Sequence, residues 1–246
     1  MHRLLVSTDA LLGERATLPR DAARHLKVVR PKPGETVELF DGAGRSRIFT
    51  CGQDAAEPLS AAAAVQEFPP SPFALTLFAC ITKGSRWDWT IEKVTELGVT
   101  RIVPVISERC IVRIAPAERA AKRDRWQRIV EDAARQSDAK WLPTICDAVD
   151  FQESLVEVKS CACFVGALTD PPPEPLLAVI QRWRRAEPKQ KSFGLFVGPE
   201  GDFAPEELKT LLDVAIPTSF GPTILRAETA AIFGVSVLVA ALAGES

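Results

Sequence analysis

Two short blocks near the C-terminus hold the residues best suited to chemistry. Gly198–Phe203 reads GPEGDF, and Phe220–Ala230 reads FGPTILRAETA. Each is a Gly-Pro punctuated turn that follows an apolar, strand-like run and opens a helix-like run. Glycines such as Gly198 and Gly201 let the main chain turn tightly and approach a ligand. Backbone N–H groups in such turns bind carbonyl or carboxylate oxygens. Glu200 is an acceptor for a hydroxyl or amine, and Arg226 presents five donors where strand gives way to helix. Glu228 and Thr229 fall in the first turn of that helix, where acceptors meet free N–H groups. This chemistry is that of a small-molecule pocket built largely from main chain. The same residues also suit two helix-capping loops with Arg226 and Glu228 as a surface pair, and spacing alone leaves both readings open.

Other chemistries are excluded or unsupported. The chain has two histidines, His2 and His25, which argues against a multi-histidine metal site and histidine acid–base catalysis. Six cysteines include one C-x-C pair, Cys161 and Cys163, and no C-x-x-C. That spacing defines neither a zinc site nor a disulfide framework, and reduced, mostly buried thiols are expected. No G-x-G-x-x-G follows a strand, and neither a Walker loop nor a G-x-S-x-G elbow occurs. The N-terminus is too charged for a signal peptide, and no apolar run nears the ~20 residues of a membrane helix, so a cytoplasmic protein is expected.

Charge is uneven along the chain. Met1–Arg47 carries nine Lys/Arg against six Asp/Glu, and Arg109–Lys140 carries nine against five. Two basic stretches within a net charge of −2 suit a local anionic partner such as RNA, and equally suit solvated helix faces.

The elements that must position the blocks change character near residue 70. Before it, Leu4–Val6, Glu35–Phe40 and Arg45–Cys51 read as strands, with one helix over Asp21–Arg30; a small β-barrel is the expected assembly. An alanine run and Pro69–Pro72 mark the boundary. After it, strands over 73–81, 100–107, 161–167, 192–199 and 218–221 alternate with helices over 87–98, 117–137, 173–185, 204–214 and 226–242. Continuous apolar strands alternating with helices predict a mostly parallel sheet covered on both faces. Both blocks then fall beyond the carboxyl ends of strands, where open α/β sheets bind ligands.

GPEG-x-F followed by G-P-x-I-L-R-x-E-T-A resembles the SPOUT class of methyltransferases and, more narrowly, the ribosomal small subunit methyltransferase E family. Lys83–Cys110 and Arg125–Ser137 resemble that family too, and His25–Gly44 resembles its N-terminal PUA-like barrel. The resemblance runs in order along nearly the whole chain. It implies a PUA-like RNA-binding domain over 1–70 and, over 71–246, a methyltransferase domain with a C-terminal trefoil knot. It also implies a homodimer through knot helices; from the composition, no metal and no membrane partner are expected. The implied reaction is S-adenosylmethionine-dependent methylation of N3 of a uridine in 16S rRNA of the small ribosomal subunit. The same scaffold could instead methylate another base or a ribose 2′-hydroxyl, or serve as a non-catalytic RNA-binding module.

The resemblance implies that the cofactor lies against Val197, Gly198, Glu200 and Gly201 of the first block. The second block contributes Phe220, Gly221, Ile224, Leu225, Thr229 and Ala230, and Leu168 joins from upstream. Arg226 is the expected donor to the uracil oxygens, and Glu200 or Glu228 the proton acceptor. Arg3, Arg24, Arg30, Lys83, Arg86 and Arg109 are candidates for rRNA phosphates. Trp87 and Trp89 are candidates for base stacking, although a core position suits either better. Four positions depart from the family pattern. Asp202 replaces a usual Gly and is expected to stiffen the first turn. Thr223 replaces a common Arg, Phe220 a usual Leu, and Lys140 a usual Arg.

Overall fold

The computed structural model describes residues 1–53 and 57–243, and of Lys159 and Ser160 the backbone only. The segment 55–72 read as leading to the boundary therefore begins outside the described residues. The chain divides into two compact units: Met1–Pro70 with Ala134–Leu142, and Ser71–Ala133 with Pro143–Ser246.

The first unit contains β1 (His2–Leu5), α1 (Thr8–Leu12), β2 (Arg15–Ala16), α2 (Arg20–Val29), β3 (Thr36–Phe40), β4 (Arg45–Thr50), β5 (Leu59–Ala61) and β6 (Gln66–Glu67). The strands run β1-β3-β4-β5-β2 across one sheet, with β6 also on β4; β1–β3 is parallel and the rest antiparallel. Leu4, Leu11, Leu26, Leu39 and Phe49 form its core. The helix α1 was not expected. It is a single turn and a half that Ser7 caps, its Oγ accepting from Ala10 N at 3.3 Å. So short a helix carries too little periodicity to be read from sequence.

Residues 134–142 pack on this sheet. Gly44 N donates to Lys140 O at 2.9 Å, and Leu142 N donates to Gly42 O at 2.9 Å. Gly44 has φ +88°, and a Cβ there would lie 2.4 Å from Trp141 Cζ2, so both backbone and space require glycine.

The second unit is α/β. Its elements are β7 (Ala74–Cys80), α3 (Ser85–Glu96), β8 (Arg101–Ile106), α4 (Pro116–Gln136, whose last three residues group with the first unit), β9 (Thr144–Ile145), β10 (Val149–Asp150), α5 (Phe151–Val156), a 3₁₀ turn (Glu157–Ser160), β11 (Ala162–Gly166), α6 (Leu176–Ala186), β12 (Ser192–Val197), α7 (Pro205–Leu212), β13 (Ile216–Thr218) and α8 (Ala227–Ala243). The sheet order is β10-β8-β7-β12-β11-β13, with β9 on β8, and every pair is parallel. The expected mostly parallel sheet is therefore present. One strand is displaced: β13 ends at Thr218, and Ser219–Gly221 is loop. Pro217, which argues against a strand interior, sits at this edge strand where a missing N–H is tolerated.

Strands β7, β8, β11 and β12 are buried along most of their length, as sheets covered on both faces require. Phe78 and Phe196 stack between neighbouring strands at 4.4 Å and 6°. Helix α8 is apolar on every side. Gly234 lets it lie close on β12, because a Cβ there would stand 2.5 Å from Leu195 Cδ2. Trp87 is 3% exposed and meets Trp126 edge-on at 5.7 Å, which makes it core. Trp89 is exposed.

Candidate functional site

Three parallel strands end side by side, and their loops enclose one cavity of ≈ 390 Å³. Gly166 ends β11, Val197 ends β12 and Thr218 ends β13, and all three line it. This is the position at which open parallel sheets bind ligands, because the loops diverge there.

Of the residues read from sequence, Leu168, Val197, Gly198, Glu200, Phe220, Gly221, Ile224, Leu225 and Ala230 stand on the cavity wall. Gly201, Arg226 and Thr229 are not on that wall. Arg226 is exposed between two wall residues, Leu225 and Ala227. Sequence reasoning missed most of the loop after β11, where Ala167, Thr169, Asp170 and Pro172 join Leu168 on the wall. Their one signal was position: they follow a strand of the same sheet.

The first block owes its shape to Asp202 more than to its glycines. Asp202 adopts φ +59°, a left-handed conformation that Asp tolerates. Its N donates to Pro199 O at 2.9 Å, closing the turn. Its carboxylate accepts from Phe203 N at 2.8 Å and from Leu168 N at 3.3 Å, joining two walls of the cavity. Gly198 is needed for space, since a Cβ would lie 3.0 Å from Asp202 Oδ1 and 3.2 Å from Phe203 Cδ2. Gly201 is not: a Cβ there would meet nothing closer than Arg109 Cδ at 3.8 Å, so the tight turn expected of Gly201 belongs to its neighbour. Asp202→Ala, which loses both acceptors and keeps an unfavourable φ, should cost about 1–2 kcal/mol. A lowered urea midpoint would register this, and an unchanged midpoint would remove Asp202 from the account.

Phe220 packs beneath the second block. A Cβ on Gly166 would lie 2.5 Å from its Cε2, and its ring meets Phe233 at 5.9 Å. The usual smaller side chain would leave this space unfilled.

Charge at the cavity edge is organised by Arg86, at the start of α3. Its guanidinium pairs with Glu200, and its Nε stands 3.9 Å from Glu228 Oε1. One cation thus faces a carboxylate from each block. The Glu228 side chain is 8% exposed, and its Oε2 has no hydrogen-bond partner among the described residues. Arg109 donates to Gly201 O at 2.8 Å and fixes the first block from outside.

These placements alter the phosphate candidates. Arg86 faces Glu200 and Glu228, and Arg109 uses one N–H on the first block. Lys83, Arg24 and Arg30 are exposed. Arg3 is corrected outright, because its side chain is 8% exposed and fully engaged. It donates to Glu38 Oε2 at 2.8 Å, to Ala134 O at 3.0 Å and to Ala139 O at 3.1 Å, and lies 4.2 Å over Phe40. Lys140 completes this network, donating to Glu38 Oε1 at 2.7 Å and Asp138 Oδ1 at 2.8 Å.

Among the described residues, no group of three or more His, Cys, Asp or Glu is arranged to hold a metal. No helix among them is long and apolar enough to cross a membrane.

Comparison with known proteins places this site in a class. A family model for an RNA methyltransferase domain matches residues 69–239, the part of the chain that builds the parallel sheet and cavity. The ribosomal RNA small subunit methyltransferase E of Mycobacterium bovis is 31% identical over 240 residues, covering 94% of this chain and 89% of that protein. The Synechocystis protein of the same name is 29% identical over 234 residues, covering 93% and 74%. The chain belongs to the ribosomal RNA small subunit methyltransferase E family. Its fold agrees with a Neisseria gonorrhoeae member solved bound to S-adenosyl methionine, at TM-score 0.83, 28% identity and coverage of 97% and 96%. A Legionella pneumophila methyltransferase in complex with SAM gives TM-score 0.85 at 29% identity, covering 97% of each chain.

Proposed function

We propose that this chain methylates N3 of a uridine in 16S rRNA of the small ribosomal subunit, with S-adenosylmethionine as donor. The observation that carries the reading is the cavity at the ends of β11, β12 and β13, walled by both sequence blocks. Apolar Leu168, Val197, Phe220, Ile224 and Leu225 suit the flat faces of an adenine, while Asp170 and Glu200 offer acceptors for hydroxyl and amine groups. Bound there, S-adenosylmethionine supplies a methyl group already activated for transfer.

The remaining work falls to this chain's residues. Uracil N3 must lose its proton before it can attack, and negative charge then spreads onto the ring carbonyl oxygens. Arg226, exposed beside the wall, donates to those oxygens. Glu200, on the cavity wall, and Glu228, buried next to the wall residue Ala227, are the proton acceptors of this reading, and Arg86 faces both. Arg86 is in this reading a positioning residue that sets which carboxylate is free when RNA arrives.

The finer architecture is part of the same proposal. Residues 174–176 bond to Ser219, with Ser219 N donating to Glu174 O and Leu176 N to Ser219 O, each at 3.0 Å. A last segment threaded past the loop that follows β11, as in a trefoil knot, accounts for this proximity. The first unit serves as a PUA-like domain that holds RNA through Arg24 and Arg30. The exposed apolar side chains Leu168, Ile224 and Phe233 suit cover by a second copy in a homodimer. A chain acting on rRNA works in the cytoplasm.

Isothermal titration with S-adenosylmethionine tests the pocket. One site per chain is expected, with competition by S-adenosylhomocysteine; absence of heat at millimolar cofactor would favour a non-catalytic RNA-binding role.

A further inference from the structure

The far end of β11 carries a feature the methyl-transfer site does not use. Cys161 precedes the strand in extended backbone, at φ −136° and ψ 156°, and Cys163 is its second residue. Side chains two apart in extended chain leave on the same face. Their sulfurs stand 3.2 Å apart. The room comes from the neighbouring strand: a Cβ on Gly194 would lie 2.4 Å from Cys163 Sγ and 3.2 Å from Cys161 Sγ. Cys163 is buried and Cys161 half-buried, so Cys161 is the more accessible of the pair. Arg101, paired with Glu157, places positive charge near Cys161. The hydrogen bond from Cys163 lowers the Cys161 pKa most, burial opposes it, Arg101 adds to the lowering and Glu157 opposes. Cys163 moves the other way, through that same hydrogen bond and burial.

We propose that Cys161 and Cys163 form a reversible thiol–disulfide site for peroxides, at the sheet rim opposite the cavity. A half-exposed cysteine beside a second thiol is the arrangement that oxidises selectively. The Cys161 thiolate attacks one peroxide oxygen, the O–O bond breaks, and a sulfenic acid and hydroxide result; the hydroxide takes up a proton to leave as water. The Cys163 sulfur then attacks the Cys161 sulfur, forming the S–S bond, and the sulfenic oxygen leaves with the thiol proton as a second water. Two thiols lose two electrons and one peroxide is reduced to two waters. Two residues of extended chain span about 6.6 Å, which falls within the roughly 4.4–6.8 Å between Cα atoms that disulfides bridge. The bond also needs the two Cβ atoms within about 3.5–4.5 Å, closer than same-face positions of extended chain, so closure draws in Cys161, which lies before Ala162, the first residue paired with β12.

The test uses the full reduced chain and does not depend on methyl transfer. The protein is exposed to a small excess of hydrogen peroxide, remaining thiols are blocked with iodoacetamide, and the digest is weighed. The peptide holding both cysteines should be unalkylated and lighter by about 2 Da, the signature of one disulfide, and dithiothreitol should reverse it. Cys163→Ser, with Cys163→Ala as a second variant, should leave Cys161 as a sulfenic acid that dimedone labels. Full alkylation of both cysteines after peroxide, linkage of Cys161 to a different cysteine instead, or no dimedone label in either variant would overturn the proposal.

Discussion

Arg226→Ala should lower turnover by roughly 10²–10³-fold, about 2.7–4 kcal/mol of transition-state stabilisation, as loss of one oxyanion donor does elsewhere. Cofactor affinity should stay within about twofold, because Arg226 lies off the cavity wall while its neighbours Leu225 and Ala227 lie on it. The side chain is exposed at the cavity edge, on the side from which a macromolecular substrate must approach. Charge develops on the uracil oxygens only after N3 loses its proton, so the interaction is stronger in the transition state than in the ground state. Arg226→Lys keeps the charge but loses the planar fork, and should fall between the two. Single-turnover rates with saturating cofactor, beside calorimetry on each variant, separate the two effects. Unchanged turnover in Arg226→Ala would end its assignment; equal loss of cofactor affinity would move it into the binding site.

Arg3→Met should destabilise the protein by about 3 kcal/mol, because it removes one partner of a buried charge network. Glu38 is 5% exposed and faces Arg3 on one oxygen and Lys140 on the other. Removing Arg3 leaves Glu38 half-paired and unmakes the donations to Ala134 O, Arg135 O and Ala139 O that hold residues 134–142 on the sheet. Burial raises the Glu38 pKa, but hydrogen bonds from Lys140 and Ser46 and the charge of Arg3 outweigh it, so the net shift is downward from 4.5. A depressed folded-state pKa gives stability that is present above the unfolded value and is lost as pH falls through the folded value. The wild-type protein should therefore lose stability below about pH 4.5, and Arg3→Met should lose less over the same window. Urea unfolding at several pH values measures both. A phosphate-binding role predicts the opposite result: normal stability, and RNA affinity with a weaker salt dependence.

The contrast between the two cavity-lining blocks and Arg3 shows where sequence reading reaches. The two blocks were legible because Gly-Pro turns, a following helix start and a charged pair coincide within a few residues. The alternation of apolar strands and helices was legible because parallel strands are buried on both faces and read as unbroken apolar runs. Arg3 was not, because its partners Glu38, Ala134 and Ala139 are distant in sequence and basic residues at a terminus look alike whether solvated or buried. The loop after β11 carries ordinary turn residues, and only the neighbouring positions of β11, β12 and β13 bring it to the cavity. Asp202 looked like a stiffened glycine position; its left-handed φ and its bond to Leu168 N depend on a loop more than thirty residues away. Arg86 read as a free cation because nothing local signals that both blocks turn their carboxylates toward α3.

The most direct test is transfer of a labelled methyl group. Small ribosomal subunits from a strain lacking this gene are incubated with the purified protein and methyl-labelled S-adenosylmethionine, and the rRNA is digested to nucleosides for mass spectrometry. The expected result is label in N3-methyluridine at a single site, absent with Arg226→Ala. Label in another base or in a 2′-O-methyl ribose, or no label from protein that binds the cofactor, would contradict it.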